Sequence, residues 1–343
     1  MIDAASAASP THQPCLSPGL LALLKQAPAF RMHVYASHRT AAFRANAAAV
    51  PFVTPRNGLE AITNHLLRDQ GGGVRRDVDT FVVRANGHAQ QIGVHEDKVY
   101  EALLDEHQPD RLFVSRLHFL SPADLVGTIY LVHEPDPRTQ AERRAWVYNA
   151  GQRRVRRAPD LAYDSAQNAA DGLAIVDQYD GYNGRPDRYD WTLVGKRELY
   201  VPYNNYRIAD KRIPYTRIAL PGSPAPELMR FELHRVWQVE ATLKAGQTHV
   251  YARRVFYLDE DSWAVLLSEA YDAKGQLWRA GVHGLMQVYT VPVPAYRFEW
   301  WFDFSNKSYV LTGLDNGYSA PWQFGQAGRT QDFQPDALRR AGH

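Results

Sequence analysis

Residues 230–271, RFELHRVWQVEATLKAGQTHVYARRVFYLDEDSWAVLLSEAY, decide the fold. The run alternates bulky apolar and polar side chains, which is the period of a strand with two unlike faces. Phe231, Leu233, Trp237 and Val239 fall on one face; Val250, Ala252, Arg254, Phe256 and Leu258 share another, as do Trp263, Val265 and Leu267. Ala245-Gly246 and Asp259-Glu260-Asp261 break the run into three strands, and Ala273-Lys274-Gly275 closes the third. Acidic residues at such a turn are expected to be solvated.

The same grammar extends in both directions. Downstream, 285–293, 298–304 and 308–312 read as strands, and FEWWFDF (298–304) places Trp300, Phe302 and Phe304 opposite Glu299, Trp301 and Asp303. Upstream, 191–201 and 79–86 read as strands, the latter ending in the turn pair Asn86-Gly87. Residues 144–157 read as a hairpin turning at Asn149-Ala150-Gly151-Gln152. Helical pattern is sparse. NGLEAITNHLL (57–67) has Asn57 as N-cap, Glu60 three residues on, and Leu59, Ile62, Leu66 and Leu67 as an apolar face; 18–25, 121–130 and 159–170 are the other candidates. Regular strands joined by turns predict a mainly β chain, one antiparallel sheet closing into a barrel or half-barrel, and disfavour parallel α/β. Length permits one domain or two, and the Pro-rich 220–226 reads as a connection within one sheet.

Composition excludes several classes of function. Thirty-nine Lys and Arg against 37 Asp and Glu leave a net charge of +2, too little for bulk polyanion binding, so no nucleic-acid partner is expected. The single cysteine, Cys15, permits neither an intrachain disulfide nor a zinc ribbon. No run reaches the roughly 18–20 apolar residues that span a bilayer. Residues 1–30 lack a basic n-region followed by an apolar h-region, so no signal peptide is read there. Gly-x-Ser-x-Gly and His-Glu-x-x-His are absent, His133-Glu134 runs into Pro135, and Gly71-Gly72-Gly73 lacks the Lys-Ser/Thr pair of a phosphate loop. His33 with His38 and His95 with Glu96 match no common metal spacing. No catalytic residue, metal or cofactor is therefore expected.

Two features stand out against this background. Six arginines, at 143, 144, 153, 154, 156 and 157, crowd one hairpin. They read either as charges guarding an edge strand or, at Arg153, Arg154, Arg156 and Arg157, as a contact for an anionic headgroup or acidic partner. The other feature is the set of aromatic residues on apolar strand faces: Trp146, Tyr148, Trp237, Phe256, Trp263, Trp300 and Phe302 are the candidates for lining a greasy interior, with core packing as the alternative.

The segments SHRTAA (37–42), PRNGLEAITNHLLR (55–68), RRAWVYNAGQRRVRRAP (143–159), WTLVGKRELYVPYNNY (191–206), RRVFYLDEDSW (253–263) and EAYDAKGQLWRAG (269–281) resemble a proteobacterial family, domain of unknown function 1329. That family is similar in fold to the periplasmic lipoprotein carriers LolA and LolB. The resemblance spans residues 30–320. It implies an incompletely closed antiparallel β-barrel with short helices plugging its concave face, and a cavity for a lipid or other hydrophobic ligand. It also implies a periplasmic location and work alongside an RND-type transporter and an outer-membrane β-barrel protein. No catalytic residue carries over. The expected organisation is a loosely ordered N-terminal tail (1–29), one domain (30–325) and a C-terminal tail (326–343), with an adaptor role through the arginine hairpin, or an enzyme of unrecognised type, as other readings.

Overall fold

The computed structural model describes residues 1–3, 5–9, 13–27, 29–36, 50–158, 163–167 and 170–341. Strands dominate: β1 (Val34–Tyr35), β2 (Gly73–Val83), β3 (Ala89–Tyr100), β4 (Arg111–Phe119), β5 (Ile129–Pro135), β6 (Arg144–Asn149), β7 (Arg154–Arg157) and β8 (Tyr189–Pro202) come first. They are followed by β9 (Ala219–Leu220), β10 (Ser223–Pro224), β11 (Phe231–Leu243), β12 (Arg253–Asp259), β13 (Val265–Tyr271), β14 (Leu277–Val288), β15 (Val293–Asp303), β16 (Ser308–Leu314) and β17 (Gln323–Phe324). Among the described residues three α-helices accompany them, α1 (Pro18–Gln26), α2 (Gly58–Leu67) and α3 (Pro335–Ala341).

One sheet runs in the order β1-β11-β12-β13-β14-β15-β16-β2-β3-β4-β5-β6-β7, with β8 on β11 and β17 on β2. Every pairing in it is antiparallel except the two-residue contact of β1 with β11. The sheet does not close: β7 ends the path at one edge, so the barrel is open. The turn 259–264 shows why the chain reverses where the sequence says. Asp259 Oδ2 accepts from both the Ser262 N–H and its hydroxyl, and Trp263 adopts a φ of 60°. Asp259 is fully buried there beneath Tyr203, whose hydroxyl donates to it, whereas a solvated carboxylate was expected.

The sheet has two covered faces. On what we term its outer face, Trp300, Phe302, Tyr309, Leu311, Val255 and Tyr257 pack with Leu20, Leu23 and Leu24 of α1 and with residues of the 203–229 connection. Ser17 caps α1 at its N-terminus, Pro18 occupies the first turn, and the apolar residues at i, i+3 and i+4 face the sheet. Gly19 is needed because its N–H donates to Glu269 Oε1 at 2.7 Å and a Cβ would lie 2.8 Å from Glu269 Cγ. The N-terminal region is thus part of the core rather than a loose tail. The same holds at the C-terminus, where Phe333 and Leu338 pack with Val99, Val114, Leu131 and Tyr148 on the outer face of β3–β6.

On the inner face lie α2 and residues 170–188. Asn57 accepts from Glu60 N–H as the N-cap, and Ala61, Ile62 and Leu66 pack with Tyr182, Tyr189, Phe256 and Val265. Leu59, expected on that apolar face, is instead exposed. Residues 121–127 form a turn into β5 rather than a helix, and 163–167 hold turns and a bridge; the remainder of the 159–170 candidate, except Ala170, and the SHRTAA segment lie outside the described residues.

Candidate functional site

A cavity of about 190 Å³ sits between the inner face of β2–β5, β15 and β16 and residues 170–188, the segment that crosses that face. Strand alternation supplies its walls: Val78 and Thr80 from β2, Val94 from β3, Phe113, Ser115, Leu117 and Phe119 from β4, Tyr130 and Val132 from β5. Val176, Tyr179 and Asn183 form the lid, with Phe298 at the side. An engineered apolar void of about 150 Å³ takes up benzene, so this space suffices for a small apolar group as it stands.

Ion pairs border the apolar walls. Arg76 and Glu96 face each other on β2 and β3 with Nε to Oε2 at 2.6 Å, and the Tyr179 hydroxyl donates to Glu96. Arg143 donates to Glu134 at 2.7 Å and to the Asn183 carbonyl at 2.8 Å, while Tyr163 and Asn183 also donate to Glu134. Next to them Lys98 donates to Asp180 at 2.6 Å. Burial alone would pull the Lys98 ammonium down, yet Asp180, Tyr100 and Glu96 together outweigh it and hold it above its ordinary value; Asp180 is in turn held low against burial by Lys98, Arg68 and Arg76. Burial, reinforced by Glu96, pushes the Tyr179 phenol well up, so it stays a neutral donor. These pairs tie the crossing segment to β3 and β5.

One constellation looks catalytic and is turned the wrong way. Ser268 Oγ lies 3.1 Å from His283 Nε2, and His283 Nδ1 lies 3.0 Å from Glu299 Oε1, on adjacent strands β13, β14 and β15. Glu299 also accepts from the Gly181 N–H at 2.6 Å. A hydrolase needs the serine at the substrate. Here Glu299 borders the cavity, whereas Ser268 is buried behind it and Trp301 packs edge-on against His283 at 4.6 Å. The three act as a buried hydrogen-bond chain.

None of the seven aromatic candidates borders the cavity. Trp300 and Phe302 belong to the outer core beneath α1; Trp146 and Tyr148 face α3. Phe256, Trp263 and Trp237 do lie on the inner face, but Tyr182 and Trp191 fill the space over Phe256, and Trp237 and Trp263 stack on each other at 6.2 Å. The greasiest faces attract the best covering and so leave no void. The true lining comes from β3–β5, which the pattern did not reveal because both faces of RLFVSRLHF (111–119) are mixed. The signal available was the spacing of Phe113, Ser115, Leu117 and Phe119. Arg153, Arg154, Arg156 and Arg157 lie on β7 and its turn, exposed at the open edge.

The family model described as "Protein of unknown function (DUF1329)" matches residues 44–339. The chain belongs to this family. A Pseudomonas aeruginosa relative, "Uncharacterized protein PA3922", is 40% identical over 356 aligned positions, covering 95% of this chain and 78% of that protein. The crystal structure of a Desulfovibrio piger DUF1329 protein superposes with a TM-score of 0.56 at 16% identity, covering 81% of this chain and 95% of that one. A Vibrio parahaemolyticus domain named for outer membrane lipoprotein sorting gives a TM-score of 0.58 at 16% identity, over 82% of this chain and 98% of that domain. A LolA superfamily protein from Nitrosomonas europaea superposes with a TM-score of 0.50 at 9% identity, over 82% of this chain and all of that one, so the DUF1329 chain is similar to it in its open-barrel fold.

Proposed function

We propose that this DUF1329 protein is a carrier that holds the apolar part of a lipid or other hydrophobic ligand in its inner-face cavity and works in the periplasm between the two membranes. The cavity carries the reading: the described side chains leave a space walled by Val78, Val94, Leu117, Phe119 and Val132, whereas they pack closely over β11–β13 and beneath α1. Each methylene buried there contributes about 0.8 kcal/mol. The sorting role after which the Vibrio domain is named, and a fold without a membrane-crossing helix among the described residues, support the same reading. An RND-type transporter and an outer-membrane barrel are the proposed partners.

The test is displacement of a fluorescent apolar probe, alongside native mass spectrometry of protein from a Gram-negative host. Val132→Phe and Ser115→Leu fill the cavity and are expected to cut probe binding at least about tenfold with little change in stability, since they occupy space already empty. Undiminished binding in both variants would remove the cavity as the site. Trp237→Phe, remote from the cavity, is expected to leave binding unchanged.

A further inference from the structure

The arginine hairpin gains two charges that its sequence neighbours do not supply. α3 packs against β5, β6 and β7, with Leu338 and Ala341 meeting Trp146, Tyr148 and Val155. This places the exposed Arg339 and Arg340 beside the edge formed by β7. Directly paired residues share a face, so Arg154 and Arg156 lie on the inner face with Asn149 and Val147, while Arg157 lies with Trp146 on the side of α3. The edge is basic on both faces. None of Arg153, Arg154, Arg156, Arg157, Arg339 and Arg340 has a hydrogen-bond or ion-pair partner among the described residues. Elsewhere the arginines that matter are paired, as Arg143, Arg254 and Arg279 show.

Guarding an edge strand against a second chain needs charges on that strand. It does not account for arginines on a helix behind it. Nor does it account for the loop beside the hairpin tip. A Cβ on Gly127 would lie 3.0 Å from Ala150 Cβ, so the 120–128 loop touches the hairpin turn, and it exposes Leu120 and Val126 to 40% and 50%. Asp124 is the carboxylate of that loop, and Asp336 lies one helical turn before Arg339 and Arg340 without an ion pair to either among the described residues.

We propose that this edge docks the protein on a bilayer bearing anionic phospholipid, the six arginines facing phosphate headgroups and Leu120 and Val126 entering the interface. Guanidinium groups match phosphate oxygens in pairs, and free arginines carry no internal partner that must first be broken. Apolar side chains beside a basic cluster add the second of the two signals that stable surface attachment needs. The docking is separate from what the cavity holds.

Co-sedimentation with vesicles tests it. The full chain is expected to bind vesicles of phosphatidylcholine and phosphatidylglycerol in equal parts, to ignore vesicles of phosphatidylcholine alone, and to be released as salt shortens the screening length. Each arginine lost is expected to weaken binding about fivefold. Reversal of Arg153, Arg154, Arg156 and Arg157 to Glu should abolish it; the same four as Lys should keep most of it, and Val126→Asp should weaken it with the charges intact. All four residues are exposed, and a thermal melt checks the fold of each variant. Absence of binding to anionic vesicles, equal binding to neutral ones, or full binding by the reversed variant overturns the proposal. So does hairpin-dependent capture of a protein without vesicle binding, which would make the edge a protein contact. Apolar-probe binding by the reversed variant reads the cavity separately, so failure of docking and failure of the carrier reading are told apart.

Discussion

The two halves of the sheet's inner face are built on the same backbone and finished differently. Over β11–β14 the side chains are large, namely Arg254, Phe256, Trp263 and His283, and Tyr182 with Trp191 closes the remaining space. Over β3–β5 they include Val94, Ser115 and Val132, and the lid formed by Val176, Tyr179 and Asn183 is held off by ion pairs, leaving the cavity. The difference places the void where a tethered lid spans a wall that mixes large and small side chains, not where an apolar face is left uncovered.

The sharpest way to break the contrast is at the charges that hold the crossing segment down. Burial pushes the Asp177 carboxyl up, but Arg254 and His249 outweigh it and hold it below the usual range. Arg254→Met leaves that carboxylate buried with one weaker partner and is expected to cost about 3–5 kcal/mol in denaturant unfolding. Lys98→Met in the cavity half is expected to cost less, about 2–3 kcal/mol, because Asp180 keeps some contact with water and with Arg68. Equal losses would mean that the two lids are equally sealed.

Matched truncations come next. Leu258→Ala opens a hole in the filled half and is expected to cost about 3–5 kcal/mol, whereas Leu117→Ala enlarges an existing space and should cost about 1–2 kcal/mol. A similar cost at both positions would show that the cavity collapses in solution.

The smallest effect concerns acid. Burial holds the His133 imidazole at about 4, against a carbonyl hydrogen bond from Nε2–H to Phe333 that opposes the shift. The folded protein therefore binds fewer protons here than the unfolded chain, whose histidine titrates near about 6.5. This contribution to stability is present above pH 6.5 and is lost as pH falls towards 4. Protection factors for 330–341, taken relative to intrinsic exchange at each pH, are expected to fall over that window, with His133→Gln, which keeps a donor and does not titrate, flattening the response. Unaltered protection in the wild-type chain would show that the C-terminal segment is anchored independently of His133.

Much of the architecture was legible because strand alternation is local. Residues 230–271 named three strands and their turns, and Asn57 named the start of α2. β3 and β4 were not legible, since Val94, Ser115 and Leu117 alternate with equally mixed neighbours. Site prediction failed for a related reason: Trp300 and Phe302 announce a buried face, but burial against α1 and burial against a ligand look alike in sequence.

The sequence by itself thus determined the strands of 230–271 and their neighbours downstream, the two-faced sheet they form and the cationic hairpin, because each depends on the order of neighbouring residues. Tertiary structure alone decided which face was filled, that Ser268 lies behind Glu299, and that Arg339 and Arg340 join β7. Those outcomes depend on which distant segments cover each face, and packing between segments far apart in the chain leaves no periodic trace along it.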